Sequence, residues 1–313
     1  MRAVILGSGG AFPTSRRMLP AAALLREGEM FIFDCGEGTQ LQLAKSRLGW
    51  ARLRAIFISH LHGDHVIGLA GLLMTMSMGS RTDPLTIYGP AGIRGYVDLS
   101  RKYLKFGVAY PLEVREISGG PVIEEAEYRI DALPVDHRVF TLAYRLKEYP
   151  RPGRFDLAAA ERLGVPAGPL YKRLQSGEEV TLGGGRVVKP EEVLGPARPG
   201  RTVVYMVDTR PFPGAEEFVR GADLLIHDGM FADDMDSESG PKGHSTARQA
   251  ARLARKAGVG QLVLVHISPR YLSIREMLEE AREEFPNTRV ARDLDAYEIN
   301  YQPESLIDKS RHT

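Results

Sequence analysis

The run Ser59-His60-Leu61-His62-Gly63-Asp64-His65 gathers three imidazoles and a carboxylate into seven residues. Each of these groups offers a lone pair at about 2.0–2.2 Å to a borderline divalent cation such as zinc, so the run reads first as a metal loop. The chain has only 8 His in 313 residues, and composition alone rarely produces such a cluster. Before the loop, Leu53 to Ile58 is short, apolar and rich in β-branched and aromatic residues, the pattern of a buried strand. After it, Val66, Ile67, Leu69, Ala70, Leu72, Leu73 and Met76 recur at near-helical spacing. His60 to His65 are therefore expected to link the end of a strand to the start of a helix.

The remaining ligands follow from a repeated pattern. Apolar runs at 53–58, 130–135, 202–207 and 261–265 are each followed closely by a metal-capable side chain: His60, His137, Asp208 and His266. Packing alone does not place histidine and aspartate repeatedly at strand ends, whereas a site along one edge of a sheet demands it. The expected ligand set is His60, His62, His137 and Asp208 for one cation, and Asp64, His65, Asp208 and His266 for a second, with Asp208 shared. Two divalent cations side by side activate water and neutralise charge on attacking and leaving oxygens, which suits hydrolysis of a phosphodiester, an ester or an amide. Asp64 is expected both to hold a cation and to aim the nucleophile. A leaving alkoxide needs a proton, and His244, in Gly243-His244-Ser245-Thr246 at the opening of a helix, is the candidate acid, with Asp228 as its orienting partner. Asp34 reads equally well as a partner orienting a ligand histidine or as an acidic residue matching a helix N-terminus.

Composition narrows the setting. With 43% hydrophobic and 26% charged residues over 313 positions, the sequence has the make-up of an ordinary soluble globular chain, long enough for one large domain or a domain plus an appendage. A net charge of +1 means that a polyanionic partner must be met by a local patch. The single cysteine, Cys35, excludes an internal disulfide and fits a reducing compartment. The N-terminal MRAVILGSGGAFPTS is too short in apolar residues for a signal peptide or membrane span, so a cytoplasmic protein without a membrane partner is expected.

Taken in order, residues 2–7 and 20–33 read as three strands with a hairpin turn at Arg26–Glu29. Gly7-Ser8-Gly9-Gly10 reads as a tight turn rather than a phosphate loop, because it lacks the GxGxxG spacing and a following helix. A helix is expected near 91–105, strands from about 111 to 146, helices at 215–220 and 273–284, and a flexible acidic loop through Asp233, Asp234, Asp236 and Glu238. Composition shifts at 150–201, where sixteen of 52 residues are Gly or Pro and nine Lys or Arg stand against six Asp or Glu. With a short helix at 156–163 and a hairpin at 180–188, this insertion is expected to bury no core of its own and to be either a linker or an arm reaching a polyanion. Arg151, Arg154, Lys172 and Arg173 are its candidate substrate contacts. The expected organisation is one catalytic domain from 1–149 and 202–307, the arm at 150–201, and a frayed tail at 308–313.

Several motifs together resemble the ribonuclease Z family of the metallo-β-lactamase superfamily: FDCGEGTQ at 33–40, SHLHGDH at 59–65, DHRVFTLAYRL at 136–146, DTRP at 208–211, GHST at 243–246 and HISPRY at 266–271. The resemblance implies an α/β fold, an αββα sandwich with an inserted flexible arm, together with two zinc ions per subunit (with Mn or Fe as alternatives) and Asp64 as proton acceptor. It also implies a homodimer in which the arm, with Gly168-Pro169 inside it, grips precursor tRNA, and trimming of the tRNA 3′ trailer. One departure stands out: the family often shows HEAT after the fifth strand, and this chain has His227-Asp228-Gly229-Met230. The other readings weighed are a phosphodiesterase or thioesterase of the same superfamily acting on a small molecule, and a non-catalytic RNA-binding subunit.

Overall fold

The computed structural model describes residues 1–301, so the tail expected at 308–313 lies outside the described residues. The described residues divide into two compact units, 1–147 with 202–299, and 148–201 with 300–301.

The larger unit is built on two seven-stranded sheets. The first runs Ala296–Glu298, Arg2–Gly7, Ala21–Arg26, Glu29–Phe33, Leu53–Phe57, Leu85–Gly89 and Leu112–Glu116; the second runs Thr288–Val290, Gln261–Val265, Leu224–Asp228, Thr202–Met206, Thr141–Glu148, Tyr128–Val135 and Gly120–Glu124. Strand residues alternate in direction, so each sheet presents two faces to be covered. Between the sheets, Phe31, Phe33, Phe57 and Tyr88 meet Tyr128, Ile130, Tyr144, Leu146, Tyr205 and Ile226. Phe57 stacks at 5.2 Å on both Phe33 and Tyr88, and its truncation to alanine would cost about 3–5 kcal/mol. The outer face of the first sheet is covered by helices Thr39–Ser46, Gly68–Met78 and Ile93–Leu104 through Leu43, Leu69, Leu72, Leu73, Met76 and Val97. Helices Ala215–Val219, Ala247–Lys256 and Arg275–Glu284 cover the second through Phe218, Ala250, Ala254, Met277 and Ala281. The result is the expected helix–sheet–sheet–helix sandwich.

Local chemistry sets the connections. The hairpin Ala21–Arg26/Glu29–Phe33 closes on Glu27 and Gly28, both at positive φ (45° and 93°), as a two-residue turn matching the strand twist requires. The metal loop is shorter than expected: helix begins at Gly63, so Asp64 and His65 lie in a helical turn that starts directly after the extended residue His62. The acidic stretch is not a free loop either. Asp233–Met235 and Asp236–Lys242 are helical, Asp233 pairs with Arg248, and Asp236 accepts from Gln249, so cross-helix cations and amides neutralise what looked like uncompensated charge.

The smaller unit corrects the expectation of a coreless insertion. Helix Leu157–Arg162, helix Pro169–Gln175 and the hairpin Val180–Thr181/Val187–Val188 turn Ala160, Val165, Leu174, Val180, Val188 and Val193 inward, with Phe155, Leu163, Leu170 and Tyr171 packed against them. Glycine and proline dilute the apolar residues in sequence but form the turns that concentrate them in space. Asp156 caps the first helix by accepting from the Ala159 N–H at 2.9 Å. At the root of the unit, Glu148 and Arg201 form a buried two-pronged ion pair. The Tyr301 ring lies under the guanidinium groups of Arg151 (3.2 Å) and Arg201 (3.9 Å). Among the described residues, no helix is long and apolar enough to cross a membrane.

Candidate metal centre

Strand ends from both sheets deliver the expected ligands to one place. Ligand-capable atoms of His60, His62, His137 and Asp208 lie within 4.8 Å of one another, as do those of Asp64, His65 and His266. His62 Nδ1 faces His60 Nε2 at 3.0 Å and His137 Nε2 at 3.4 Å. Asp208 faces both groups: Oδ2 is 3.6 Å from His60 Nε2 and 3.7 Å from His137 Nε2, while Oδ1 is 3.3 Å from His65 Nε2 and 3.2 Å from His266 Nε2. Asp64 Oδ2 is 3.4 Å from His266 Nε2 and 3.7 Å from His65 Nε2.

Hydrogen bonds on the far side of the rings fix which nitrogens face inward. His60 Nδ1 donates to Ser59 Oγ at 3.0 Å, and His137 Nδ1 donates to the Gly243 carbonyl at 2.7 Å. His65 Nδ1 donates to Asp34 Oδ2 at 2.7 Å, and that carboxylate also receives the Ser59 hydroxyl and N–H and the Tyr205 hydroxyl. Asp34 thus holds His65 in place, deciding between its two sequence readings. Each ring is left with a bare nitrogen turned toward its neighbours, and His65 Nε2 and Asp208 Oδ1 are buried without a hydrogen bond. Lone pairs gathered this closely repel one another unless a cation sits among them, so the donor set fits divalent metal.

The electrostatics agree at three of the rings. Burial pushes the His60, His62 and His137 imidazoles below their ordinary range, leaving them neutral as ligands must be. Burial also opposes charge on His65, but Asp208 and Asp34 outweigh it and raise that imidazole. For Asp208, burial is overcome by His266 and His65, and for Asp64 by the hydrogen bond with His266, so both carboxyls are held well below their usual range. His244, buried beside the centre, donates from Nδ1 to Asp228 Oδ2 at 2.9 Å. Burial works against its charge, yet Asp228 prevails and lifts the imidazole to about 9. Its ring lies 5.1 Å from that of His137 and 5.2 Å from that of His266, and a His244 nitrogen also falls within 4.8 Å of ligand atoms of Asp208 and His266.

The backbone beneath these side chains is unusual. Asp34, Asp208 and His266 all have positive φ (57°, 49° and 59°), a left-handed conformation costly for non-glycine residues. Asp34 and His266 follow directly on a strand and Asp208 stands one residue beyond one, and the reversal turns each side chain off the sheet edge, toward the centre at Asp208 and His266 and toward the far side of His65 at Asp34.

A sequence model of the Anti-Pycsar protein Apyc1 family matches residues 1–114, and one of the β-lactamase superfamily domain matches residues 179–267. A ribonuclease Z of Methanosarcina acetivorans is 48% identical over 305 residues, spanning 97% of this chain and 100% of its own. Another from Haloferax volcanii is 43% identical over 304 residues, spanning 96% of each. The chain belongs to the ribonuclease Z family. Among solved structures, human tRNase Z, short form, superposes with a TM-score of 0.72 at 26% identity, covering 96% of this chain and 100% of that one.

Within this ribonuclease Z framework, the departure at 227–230 has a simple geometric answer. Asp228, though shorter than glutamate, reaches His244 because its strand carries it to the same edge; His227 points elsewhere, bonding the Asp228 carbonyl from Nδ1. The arm candidates are in mixed states. Arg154 and Lys172 are exposed, Arg173 pairs with Glu178 at 3.0 Å, and Arg151 is engaged over Tyr301. Sequence reasoning missed Ser59 and Tyr205 as members of the Asp34 network, the Ala11 N–H that donates to Asp64 Oδ2 at 3.0 Å, and Gly10. A Cβ at Gly10 would lie 2.5 Å from His266 Cε1, so that glycine makes room for a ligand ring. The only prior signal was the density of glycine at 7–10, which reads the same in any tight turn.

Proposed function

We propose that the chain is a metal-dependent endoribonuclease that removes the 3′ trailer from precursor tRNA, leaving a 3′-hydroxyl on the tRNA and a 5′-phosphate on the trailer. The observation that carries this reading is near-full-length identity to ribonuclease Z proteins, in a chain whose seven candidate ligands converge. The resident cations are proposed to be two zinc ions, with Mn or Fe as alternatives. His60, His62, His137 and Asp208 would hold one, and Asp64, His65, Asp208 and His266 the other. When bound, they supply Lewis acidity, making water nucleophilic at neutral pH and offsetting negative charge at the phosphoryl group.

The chain's own residues do the rest. Asp64, ionised throughout the working range, is the proton acceptor that orients the attacking water. His244 donates from Nδ1 to Asp228, whose charge favours the protonated imidazole, and this suits it to protonate the leaving oxygen. The insertion at 150–201 is read as the arm that holds tRNA by Arg151, Arg154, Lys172 and Arg173, in a homodimer of the cytoplasm, with residues 1–149 and 202–307 as the catalytic domain.

The test is cleavage of a precursor tRNA with a short 3′ trailer by the full chain and by a chain lacking 152–197, beside a small chromogenic phosphodiester. Cleavage at the tRNA 3′ end that is lost with the arm, while the small substrate is still turned over, is the expected result. Turnover of the small substrate alone by the full chain would refute tRNA processing in favour of a general phosphodiesterase.

A further inference from the structure

Beside the metal centre lies a cleft of about 390 Å3 that the chemistry described so far leaves unused. It is lined by Leu61, His62, Pro90, Ala91, Ile117, Ser118, Val139 and Phe140. Its character differs sharply from that of the centre. Phe140 is 50% exposed, Val139 40% and Leu61 36%, three large apolar side chains left to water at the rim of a site otherwise composed of imidazoles and carboxylates. Apolar side chains clustered in an exposed cleft next to a reactive centre mark a ligand contact.

The cleft is also built with the centre. His62 belongs to both. The segment carrying Val139 and Phe140 is tied at one end by His137, whose Nδ1 bonds the Gly243 carbonyl, and at the other by the Leu142 N–H, which donates to the Ser59 carbonyl at 2.9 Å. Within the segment, the Thr141 hydroxyl donates to the Val139 carbonyl at 3.0 Å. The opposite wall is fixed by the Ile117 N–H donating to the Gly89 carbonyl at 2.8 Å. Phe140 is therefore displayed in a defined position three residues along the chain from the metal-facing His137.

Resting on the reading of the chain as a ribonuclease, we propose that this cleft takes one nucleobase of the RNA strand adjoining the cleaved phosphodiester, with Phe140 as its stacking partner. A phosphodiester held at the centre necessarily carries a nucleoside on each side, and the unstacked bases of single-stranded RNA are recognised by aromatic and aliphatic faces. The cleft offers these faces and, apart from the Ser118 hydroxyl and the His62 ring, little to read a hydrogen-bonding edge, so it holds any base and anchors the register of cleavage.

The experiment uses the full-length protein supplied with zinc and a precursor tRNA series in which each of the two nucleotides on either side of the cleaved bond is made abasic in turn. With the unaltered protein, one abasic position should raise KM by about 5- to 150-fold, the range expected for loss of one base–aromatic stack. Phe140→Ala should raise KM on the intact RNA to a similar degree and abolish the penalty of that abasic position, while Phe140→Trp restores both. Phe140 is half exposed, so these variants should unfold at the temperature of the parent. An unchanged KM and unchanged abasic sensitivity in Phe140→Ala, with cleavage otherwise normal, would remove the subsite and leave the ribonuclease reading standing. A change in sedimentation without a change in KM would overturn it in favour of a contact between copies of the chain. Failure of the unaltered protein to cut any precursor tRNA would bring down the functional reading and the subsite together.

Discussion

Replacing Gly10 by alanine isolates the contribution of ligand placement at the metal centre. The added Cβ would stand 2.5 Å from Cε1, 2.6 Å from Nδ1 and 2.9 Å from Cγ of His266, whereas ordinary contact begins at 3.4 Å. The imidazole must yield by about 0.9 Å. It has little room to do so, stacked at 5.2 Å on both His65 and His244 and mounted on a left-handed backbone. Gly10 itself is not at positive φ, and its N–H bond to Ile267 is unaffected, so alanine adds no backbone strain. A displacement of that size at a ligand should lower metal affinity by about 10- to 100-fold and the cleavage rate by about 100-fold. Zinc affinity measured by competition with a chromogenic chelator, alongside kcat/KM on precursor tRNA, reads both effects. Gly95→Ala is the companion control. Gly95 lies in the exposed interior of Ile93–Leu104 with nothing within 4 Å of its Cβ position, and alanine there should stabilise by about 0.5–1 kcal/mol while leaving metal affinity unchanged. A Gly10→Ala protein with parental zinc affinity and activity would show that the His266 ring is not held as described.

Asp64→Ala should abolish cleavage with tRNA binding nearly intact in a filter-retention assay, whereas His244→Ala should lower kcat far more than it alters KM. In chelated protein, the His244 ring should titrate near pH 9 by NMR, and Asp228→Asn should return it toward its ordinary value of 6.5. Because the folded-state value is raised, the stability this pair contributes is complete below pH 6.5 and lost as pH climbs through about 9; a chelated Asp228→Asn protein should therefore show a smaller loss of Tm over that interval. Tyr301→Ala removes the ring shared by Arg151 and Arg201, and proteolysis within 148–201 should accelerate while the sandwich stays resistant.

The clustering of the seven candidate ligands was legible because they recur near the ends of apolar runs, a pattern set by strand geometry and therefore visible as spacing. Asp34 could not be settled that way: its partner His65 is 31 residues distant, and only the pairing of Glu29–Phe33 with Leu53–Phe57 brings them together. Tyr205 shared the same obscurity, as an inward residue of a buried strand whose hydroxyl meets Asp34 from the other sheet. The arm was misjudged for a different reason. Counting apolar residues over 150–201 averages away the fact that Ala160, Val165, Leu174 and Val188 all face one point, and one small cluster suffices when tight turns fold the segment back on itself. The acidic stretch failed similarly, since Arg248, which neutralises Asp233, is on a separate helix.

The three left-handed residues at the strand ends set folding and chemistry against each other. Asparagine or glycine would suit the backbone at Asp34, Asp208 and His266 as well as or better than the residues present. At Asp34 the four buried donors that its carboxylate accepts outweigh that backbone preference. At Asp208 and His266 nothing comparable does, so random change filtered only for a well-folded sandwich would drift there toward an inert protein of equal or greater durability, and screens for heat resistance in this scaffold should recover dead enzymes at these two positions first.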